Sequence, residues 1–245
     1  MYKRQELVGY GPFSTSNYLE QPYNSDLLFG TSDFCISGWH NSNSLNTSVY
    51  EDIICFGNTG KVGFSSNEPG SWFVQTNRTH GWTLYYRTSG GSGHSGWTAY
   101  NAAGNFNDHS MVGTGTWYKI TLVRSGDKIH SYTNDLYHGS QDVTAGSFTT
   151  SSNLSDMRLR IGWDGGTNYN YPSIYSKMAL WRVSKSAPSP EQVKKMYEDE
   201  KCLFHENAKA TLYGSSDTVT ALAFDDTTNL LHVGTSAGRS EFQGL

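Results

Sequence analysis

The sequence predicts an all-β protein: a two-sheet sandwich with one short helix near its C-terminal end, followed by a small β-rich appendage. Many short segments alternate apolar and polar residues or are rich in aromatic and β-branched ones, which is typical of strands. The chain has 16 Tyr, 11 Phe and 7 Trp, with 26 Gly to supply turns. Only one segment shows helical periodicity, and such a ratio of strands to helices favours a sandwich.

The strands follow one another along the chain. After an initial segment with one or two short strands, up to about residue 30, period-two or β-rich runs predict strands and a flexible Gly/Ser loop covers 89–96. The predicted strands are 33–39, 51–57, 61–66, 70–76, 81–88, 97–101, 116–124, 128–134, 157–163 and 174–184. A Ser/Thr-rich loop is expected over 140–155.

The segment Gly115–Leu136 is the clearest hairpin. Odd-numbered residues from 117 to 123 share one face and even-numbered residues from 118 to 124 share the other. Both faces carry apolar residues, so we expect this strand to be central and covered on both sides. Gly126 supplies the turn, and the register of the returning strand stays open because Ile129 and Tyr132 are out of phase.

The helix begins after a predicted capping box. Ser189 is the expected N-cap, Pro190 occupies the first helical position, and Gln192 lies three residues after the cap. Val193 and the pair at 196 and 197 then share one apolar face. We predict a sandwich over 1–200, a linker over 201–216 and a three-stranded meander over 217–245, which needs partners because a lone small sheet has two open edges.

Charge and composition exclude several functions. The net charge is −4 with no basic patch, so no nucleic acid is expected as a partner. The chain has no apolar run of membrane-spanning length, so no membrane insertion is expected, and its start lacks the apolar core of a secretory signal peptide. Cys35, Cys55 and Cys202 are too few for a disulfide framework and are expected to be free thiols.

Four motifs carry a resemblance to a known family. "DFCISGW", "GTWYKITLVRSGDKIHSYTND", "LRIGW" and "KMALWRVSKSAPSPEQVKKMYE" resemble, in order and spacing, the early strand, central hairpin, following strand and closing strand and helix of concanavalin A-like, laminin-G-like domains. The similarity covers about residues 15–200 and implies a jelly-roll sandwich of two antiparallel sheets. Such domains bind sugars or proteins, hydrolyse glucans or act as spacers. The chain departs from the family at Asp135, where a glycine is usual.

The segment "VTALAFDDTTNLLHVGTSAGRSEFQGL" resembles a single repeat of a β-propeller. The combination is similar to structural proteins of tailed bacteriophages. It implies a non-enzymatic virion surface protein, a tail-fibre or capsid-decoration component made in the host cytoplasm, which assembles as a homo-oligomer such as a trimer with other virion proteins and binds host glycans. The alternatives are a carbohydrate-binding or glycan-hydrolysing domain of a bacterial protein, and a spacer.

Two loops have the mixture of aromatic and amide side chains that sugar sites use. The candidate carbohydrate-binding residues are Trp97, Tyr100, Asn101, Trp163, Asn168, Tyr169 and Tyr171. The competing interpretation is that the tryptophans are core residues at strand ends.

The family resemblance also implies calcium at one rim of the sandwich, with Asp164, Asn105 and Asp108 as candidate ligands. Ordinary turn residues that bond to their own backbone are the alternative. No "E-x-D-x-x-E" glucanase motif is present, and the adjacent Glu51 and Asp52 should point to opposite faces of a strand. The sequence therefore predicts no enzyme.

Overall fold

The computed structural model describes residues 9–43, 50–58, 71–77, 81–87, 97–101, 115–143, 148, 156–165, 171–204, 209–211, 219–236 and 238–243. The chain divides into two units, one of residues 10–193 and one of residues 1–9 and 194–245. Among these described residues, none of the helices has the length and apolar character needed to cross a membrane.

The larger unit contains two antiparallel sheets, which confirms the predicted all-β jelly-roll sandwich. The first has six strands in the order β1-β10-β3-β4-β5-β6. Their bounds are β1 Leu19–Pro22, β10 Met157–Ile161, β3 Tyr50–Asn58, β4 Trp72–Asn77, β5 Gly81–Arg87 and β6 Trp97–Asn101. The second has five strands in the order β11-β2-β7-β8-β9. Their bounds are β11 Ser176–Ser184, β2 Phe34–Ser42, β7 Tyr118–Ser125, β8 Lys128–Thr133 and β9 Leu136–Asp142.

One apolar core lies between the two sheets. Alternate residues of the facing strands enter it, as period-two geometry requires. Among them are Ile36 of β2, Phe56 of β3, Leu84 of β5 and Leu122 of β7, all fully buried. Burial of each such side chain contributes about 1.5–3 kcal/mol.

Strand β7 is central and buried on both faces, as predicted, since seven of its eight residues are buried. Leu122 faces the main core, whereas Val123 packs with Cys35 and Tyr132 in a second cluster on the opposite face of the sheet. Ile129 belongs to the main core and Tyr132 to the second cluster. The residues that are out of phase in the sequence therefore serve two different faces of β8.

Asn134 makes the turn between β8 and β9. It has a φ of 58°, a left-handed conformation that Asn tolerates better than most residues. Its backbone N–H donates to the Lys119 carbonyl at 2.8 Å, and its Oδ1 accepts the Lys119 N–H at 2.9 Å. The turn therefore does not need a glycine at Asp135. Strand β9 was not predicted, and its last residues lie in the segment predicted as a loop from 140. Most of its residues are polar or exposed, so the sequence shows no clear apolar–polar alternation there.

Helix α1 covers Pro190–Lys201 and begins with the predicted capping box. The Ser189 N–H donates to Gln192 Oε1 at 2.8 Å, and the Gln192 N–H donates to Ser189 Oγ at 3.3 Å. Val193, the first residue of the predicted apolar face, is fully buried against the second cluster.

The smaller unit contains a four-stranded antiparallel sheet in the order β12-β15-β14-β13. Its strands are β12 Lys209–Thr211, β13 Val219–Asp225, β14 Leu230–Thr235 and β15 Gly238–Gln243. The three strands predicted within 217–245 are therefore present. Strand β12 lies inside the segment predicted as a linker and pairs with β15.

The three cysteines are free, as predicted. Cys35 and Cys55 are buried, whereas Cys202 is partly exposed. Burial raises the pKa of Cys35 to about 11 and the pKa of Cys55 well above its usual range.

Candidate functional site

The short segment 171–175 crosses one end of the sandwich and bonds to both sheets. The Tyr171 carbonyl accepts the Asp52 N–H at 2.9 Å, and Ser173 Oγ donates to the Asp52 carbonyl at 2.7 Å. Asp52 belongs to the six-stranded sheet. The Tyr175 carbonyl accepts the N–H of Asn43 at 2.8 Å, immediately after β2 of the five-stranded sheet. The segment is thus held at a fixed place at this end.

Three tyrosines line this end, and we refer to Tyr50, Tyr171 and Tyr175 as the tyrosine rim. Tyr50 and Tyr175 are 37% and 38% exposed, and Tyr171 is half-buried. The rings of Tyr50 and Tyr171 contact each other with centroids 5.3 Å apart. Ile174, 43% exposed, lies beside them in the chain. Apolar ring faces and phenol hydroxyls are therefore offered to solvent together.

A buried chain of hydrogen bonds supports the rim. Glu51 accepts the Tyr175 N–H at 2.8 Å through Oε1 and the Ser176 hydroxyl at 2.7 Å through Oε2. His40 Nε2 lies 2.8 Å from Ser176 Oγ, and His40 Nδ1 lies 2.5 Å from the Tyr118 hydroxyl. Because Ser176 donates its proton to Glu51, His40 Nε2 is the donor to Ser176. Strands β3, β11, β2 and β7 are thereby tied together beneath the rim.

Asp52 lies on the opposite face of β3, as the sequence predicts. Its Oδ1 accepts the Gln75 side-chain N–H at 2.8 Å, whereas Oδ2 has no hydrogen-bond partner among the described residues. Complete burial, and next the neighbouring Asp164 carboxyl, raise the pKa of Asp52 well above its usual range. Two buried carboxyl groups close to each other do not both ionise readily, so the neutral form of Asp52 is favoured.

Arg160 lies beside this carboxyl pair. Its Nη1 donates to the Asp164 carbonyl at 3.1 Å, and its Nε donates to Glu20 at 2.8 Å. A calcium ion takes six to eight oxygen ligands, and the guanidinium places positive charge where those ligands would be needed. Within the described ranges, no group of three or more His, Cys, Asp or Glu residues is arranged to hold a metal ion. Asn105 and Asp108, the other two predicted ligands, lie outside the described residues, so calcium stays a prediction.

The structure places the predicted sugar-site residues in several positions. Trp163 is half-buried and packs edge-to-face against Tyr18, with centroids 5.0 Å apart, and Tyr171 belongs to the rim. Trp97, Tyr100 and Asn101 lie on the predicted strand 97–101, which is β6 at the edge of the six-stranded sheet. Asn168 and Tyr169 lie outside the described residues, as do the candidate metal ligands Asn105 and Asp108.

Strand order separates the two halves of the predicted site. Three strands lie between β6 and β10, after which Trp163 follows. At about 4.8 Å per strand, the two backbones are roughly 19 Å apart. The described residues therefore form no single sugar site from both loops. Tyr50 and Tyr175 were not predicted as site residues, because their only sequence signal is an aromatic residue at a predicted strand end; the contact of Tyr50 with Tyr171 depends on the fold.

The geometry argues against glycoside hydrolysis at this end. That reaction needs two carboxyl groups about 5–10 Å apart on either side of the sugar bond. Here Asp52 and Asp164 are buried against each other, and Glu51 is committed to a backbone N–H and a serine hydroxyl. The described site can offer ring faces and hydroxyls to a ligand, but neither carboxyl of β3 is free to transfer a proton to it.

Comparison with solved structures finds lectin-like β-sandwiches. The chain is similar to the binding domain of botulinum neurotoxin serotype D/C VPI 5993, with a TM-score of 0.56 and 10% identity over 97% of this chain and 67% of that one. It is similar to a type C botulinum neurotoxin that depends on interaction with two ganglioside molecules to enter cells, with a TM-score of 0.52 and 12% identity over 93% of this chain and 52% of that one.

A third similar structure is the native heptameric SAP-like pentraxin of Limulus polyphemus, with a TM-score of 0.50 and 11% identity over 78% of this chain and 80% of that one. The chain spans about half the length of the first receptor-binding domains that it matches. No family profile and no curated protein sequence matches the chain. At these identities the likenesses show the fold alone.

Proposed function

We propose that this chain is a non-enzymatic, lectin-like binding protein that recognises a glycan at the tyrosine rim. The observation that carries the proposal is the exposure of Tyr50 and Tyr175 around a segment bonded to both sheets. A sugar ring needs flat aromatic surface for its C–H face and a few fixed polar groups for its hydroxyls. Tyrosine supplies both with only two rotatable side-chain bonds to immobilise.

Rigid support beneath the rim favours binding. Glu51 and the hydrogen bonds of Ser176 and His40 hold the backbone of Tyr175 before any ligand arrives. Pre-organised groups lose less conformational freedom when a ligand binds. We expect weak affinity at a single site, with a dissociation constant of the order of 1 mM, or about −4 kcal/mol. Several copies acting together would strengthen it.

The fold neighbours support a binding role over a catalytic one. The type C neurotoxin neighbour interacts with gangliosides, which are glycan-bearing lipids. The buried carboxyl groups near the rim are in hydrogen bonds or against each other, which supports a site without acid–base chemistry. We propose that binding does not depend on calcium, because Arg160 is the neighbour of Asp164.

We further propose that the protein is displayed on a virion, as a tail-fibre or capsid-decoration component, where its ligand is a glycan of the host surface. Support comes from the sequence resemblance and from the pairing of a sandwich with a small separate β unit. Genes for portal, capsid and tail proteins beside its own gene, and its presence in purified particles by mass spectrometry, are the expected observations. Its absence from such particles would contradict this placement.

A glycan array followed by titration tests the binding proposal. The full chain should bind a subset of surface polysaccharides, and Tyr50→Ala and Tyr175→Ala should each weaken binding by roughly two- to tenfold, since a lost aromatic contact costs about 0.5–1.5 kcal/mol. Tyr137→Ala is the matched control, because Tyr137 is 49% exposed on β9 of the other sheet. No binding to any host glycan, or equal loss with the control, would contradict the proposal.

A further inference from the structure

Most described sheet edges carry features that discourage pairing with another strand. Natural proteins blunt edges with short strands, charged residues, proline or bulges. Strand β1 has four residues and contains Pro22. Strand β11 carries Lys177 and Arg182 and has a bulge. Strand β12 has three residues, beginning with Lys209, and β9 has a bulge opposite Ser131.

Strand β13 is the exception among the edge strands of seven or more residues; the five-residue edge strand β6 is also uncharged. Its seven residues, VTALAFD, include no Lys, Arg or Pro, and its one charge is Asp225 at the end. A bulge between Val219 and Ala221 leaves the run from Ala221 to Asp225 regular. Strand β14 pairs with one side of β13, and no strand in the described part of the chain pairs with the other. A regular, uncharged edge of five residues is thus available for pairing.

The side chains of this edge are apolar and exposed on one face. Leu222 is 67% exposed and Phe224 is 63% exposed. They lie on the same face of the sheet as Val233 and Leu231, the residues of β14 with which they pair. The opposite face of the sheet is polar, with His232 and Glu241 close enough for an ion pair. The apolar face and the open edge therefore meet at β13.

We propose that β13 pairs antiparallel with β13 of a second copy of this chain, about a two-fold axis at Ala223, to form an eight-stranded sheet. This register places Leu222 opposite the partner's Phe224 and Phe224 opposite the partner's Leu222. Aromatic–aliphatic pairs of this kind stabilise antiparallel strands. The same patch serves both copies, as a two-fold interface requires.

The positions of Asp225 and of the bulge favour this register. With the axis at Ala223, each Asp225 lies opposite the partner's Ala221, and the two Asp225 residues are about 14 Å apart. That exceeds the screening length of about 8 Å at physiological salt. An axis one residue later would bring the Cα atoms of the two Asp225 residues to about 8 Å, within about one screening length, and an axis one residue earlier would draw the bulge into the pairing. The strand is complementary to itself in the Ala223 register.

Mass measurement tests the assembly. Light scattering and analytical ultracentrifugation of the full chain should give twice the monomer mass at micromolar concentration, and Leu222→Lys should give the monomer. Leu136→Lys is the matched control, since Leu136 is 58% exposed on the edge strand β9, and it should remain dimeric. A monomer at all concentrations, a trimer, or a dimer indifferent to Leu222→Lys would overturn the proposal.

Cross-linking tests the register without relying on a disruptive change. In a Cys202→Ser background, Ala223→Cys places two cysteines directly opposite, with Cα atoms about 4.5–5.5 Å apart, within disulfide range. Ala221→Cys places its two cysteines about 14 Å apart, beyond that range. Oxidation should join the Cys-bearing chains at position 223 and not at 221. Equal cross-linking at both positions, or none at 223, would overturn the register.

Discussion

Asp52→Asn should stabilise the sandwich above about pH 5 and flatten the dependence of its stability on pH. Burial first, and the Asp164 carboxyl second, raise the pKa of Asp52 well above its usual range. An acid with a raised pKa in the folded state keeps a proton that the unfolded chain releases above about pH 4. Its contribution to stability is therefore complete below pH 4 and is lost as the pH rises through the folded-state pKa.

The size of this pH dependence follows from the release of one proton by Asp52. Between the two pKa values, the free energy of unfolding falls by up to about 1.4 kcal/mol for each pH unit. For a unit of roughly this size, 1 kcal/mol corresponds to about 2–4 °C in Tm, so the slope is up to about 3–6 °C per pH unit. In the variant, Gln75 can still donate to the side-chain oxygen, and the new amide can donate towards Asp164.

Thermal unfolding followed by tryptophan fluorescence, between about pH 4 and pH 8, measures the slope. The wild-type chain should lose Tm more steeply than Asp52→Asn as the pH rises. Asp135→Asn, in the exposed turn after β8, should keep the wild-type slope. Parallel curves of Tm against pH for the wild type and Asp52→Asn would refute the raised pKa of Asp52.

The other predictions concern packing, the support of the rim and calcium. Gly38→Ala should lower the free energy of unfolding in urea by about 1–3 kcal/mol, since a Cβ there would clash with the Trp181 ring; an unchanged midpoint would show that the ring can move aside. Ser176→Ala should lower the free energy of unfolding by about 1–3 kcal/mol, because it removes a buried hydrogen-bond donor to Glu51. Glycan affinity is measured as a second readout. Tm and glycan binding should be the same in millimolar calcium as in EDTA. A Tm several degrees higher in calcium would show that the protein binds this ion.

Local patterns in the sequence predict much of the sandwich. The period of β7 places Ile120 and Val123 on opposite faces, and both lie where the pattern puts them. The capping box at Ser189 is also local, because its partners are three residues apart. Strand β9 was not predicted as a strand, since most of its residues are polar or exposed and show no apolar alternation. A strand without an apolar face shows no alternating pattern by which it could be recognised.

The site was harder to predict because its members are distant in sequence. Tyr50 and Tyr171 meet only because the segment 171–175 bonds back to β3. The predicted grouping of Trp97 with Trp163 relied on composition alone, and strand order sets their backbones apart. Glu51 illustrates what the sequence does settle: adjacency to Asp52 predicts opposite faces, and the two acids do bond to different partners.

The burial of two of the three thiols has a practical consequence for experiments on this protein. With the pKa of Cys35 near 11 and that of Cys55 raised well above its usual range, neither presents an appreciable fraction of reactive thiolate at neutral pH. Cys202 is the remaining thiol and is partly exposed. Folded chain treated with a maleimide dye at neutral pH should therefore accept one label per molecule, at a known position, without any mutation.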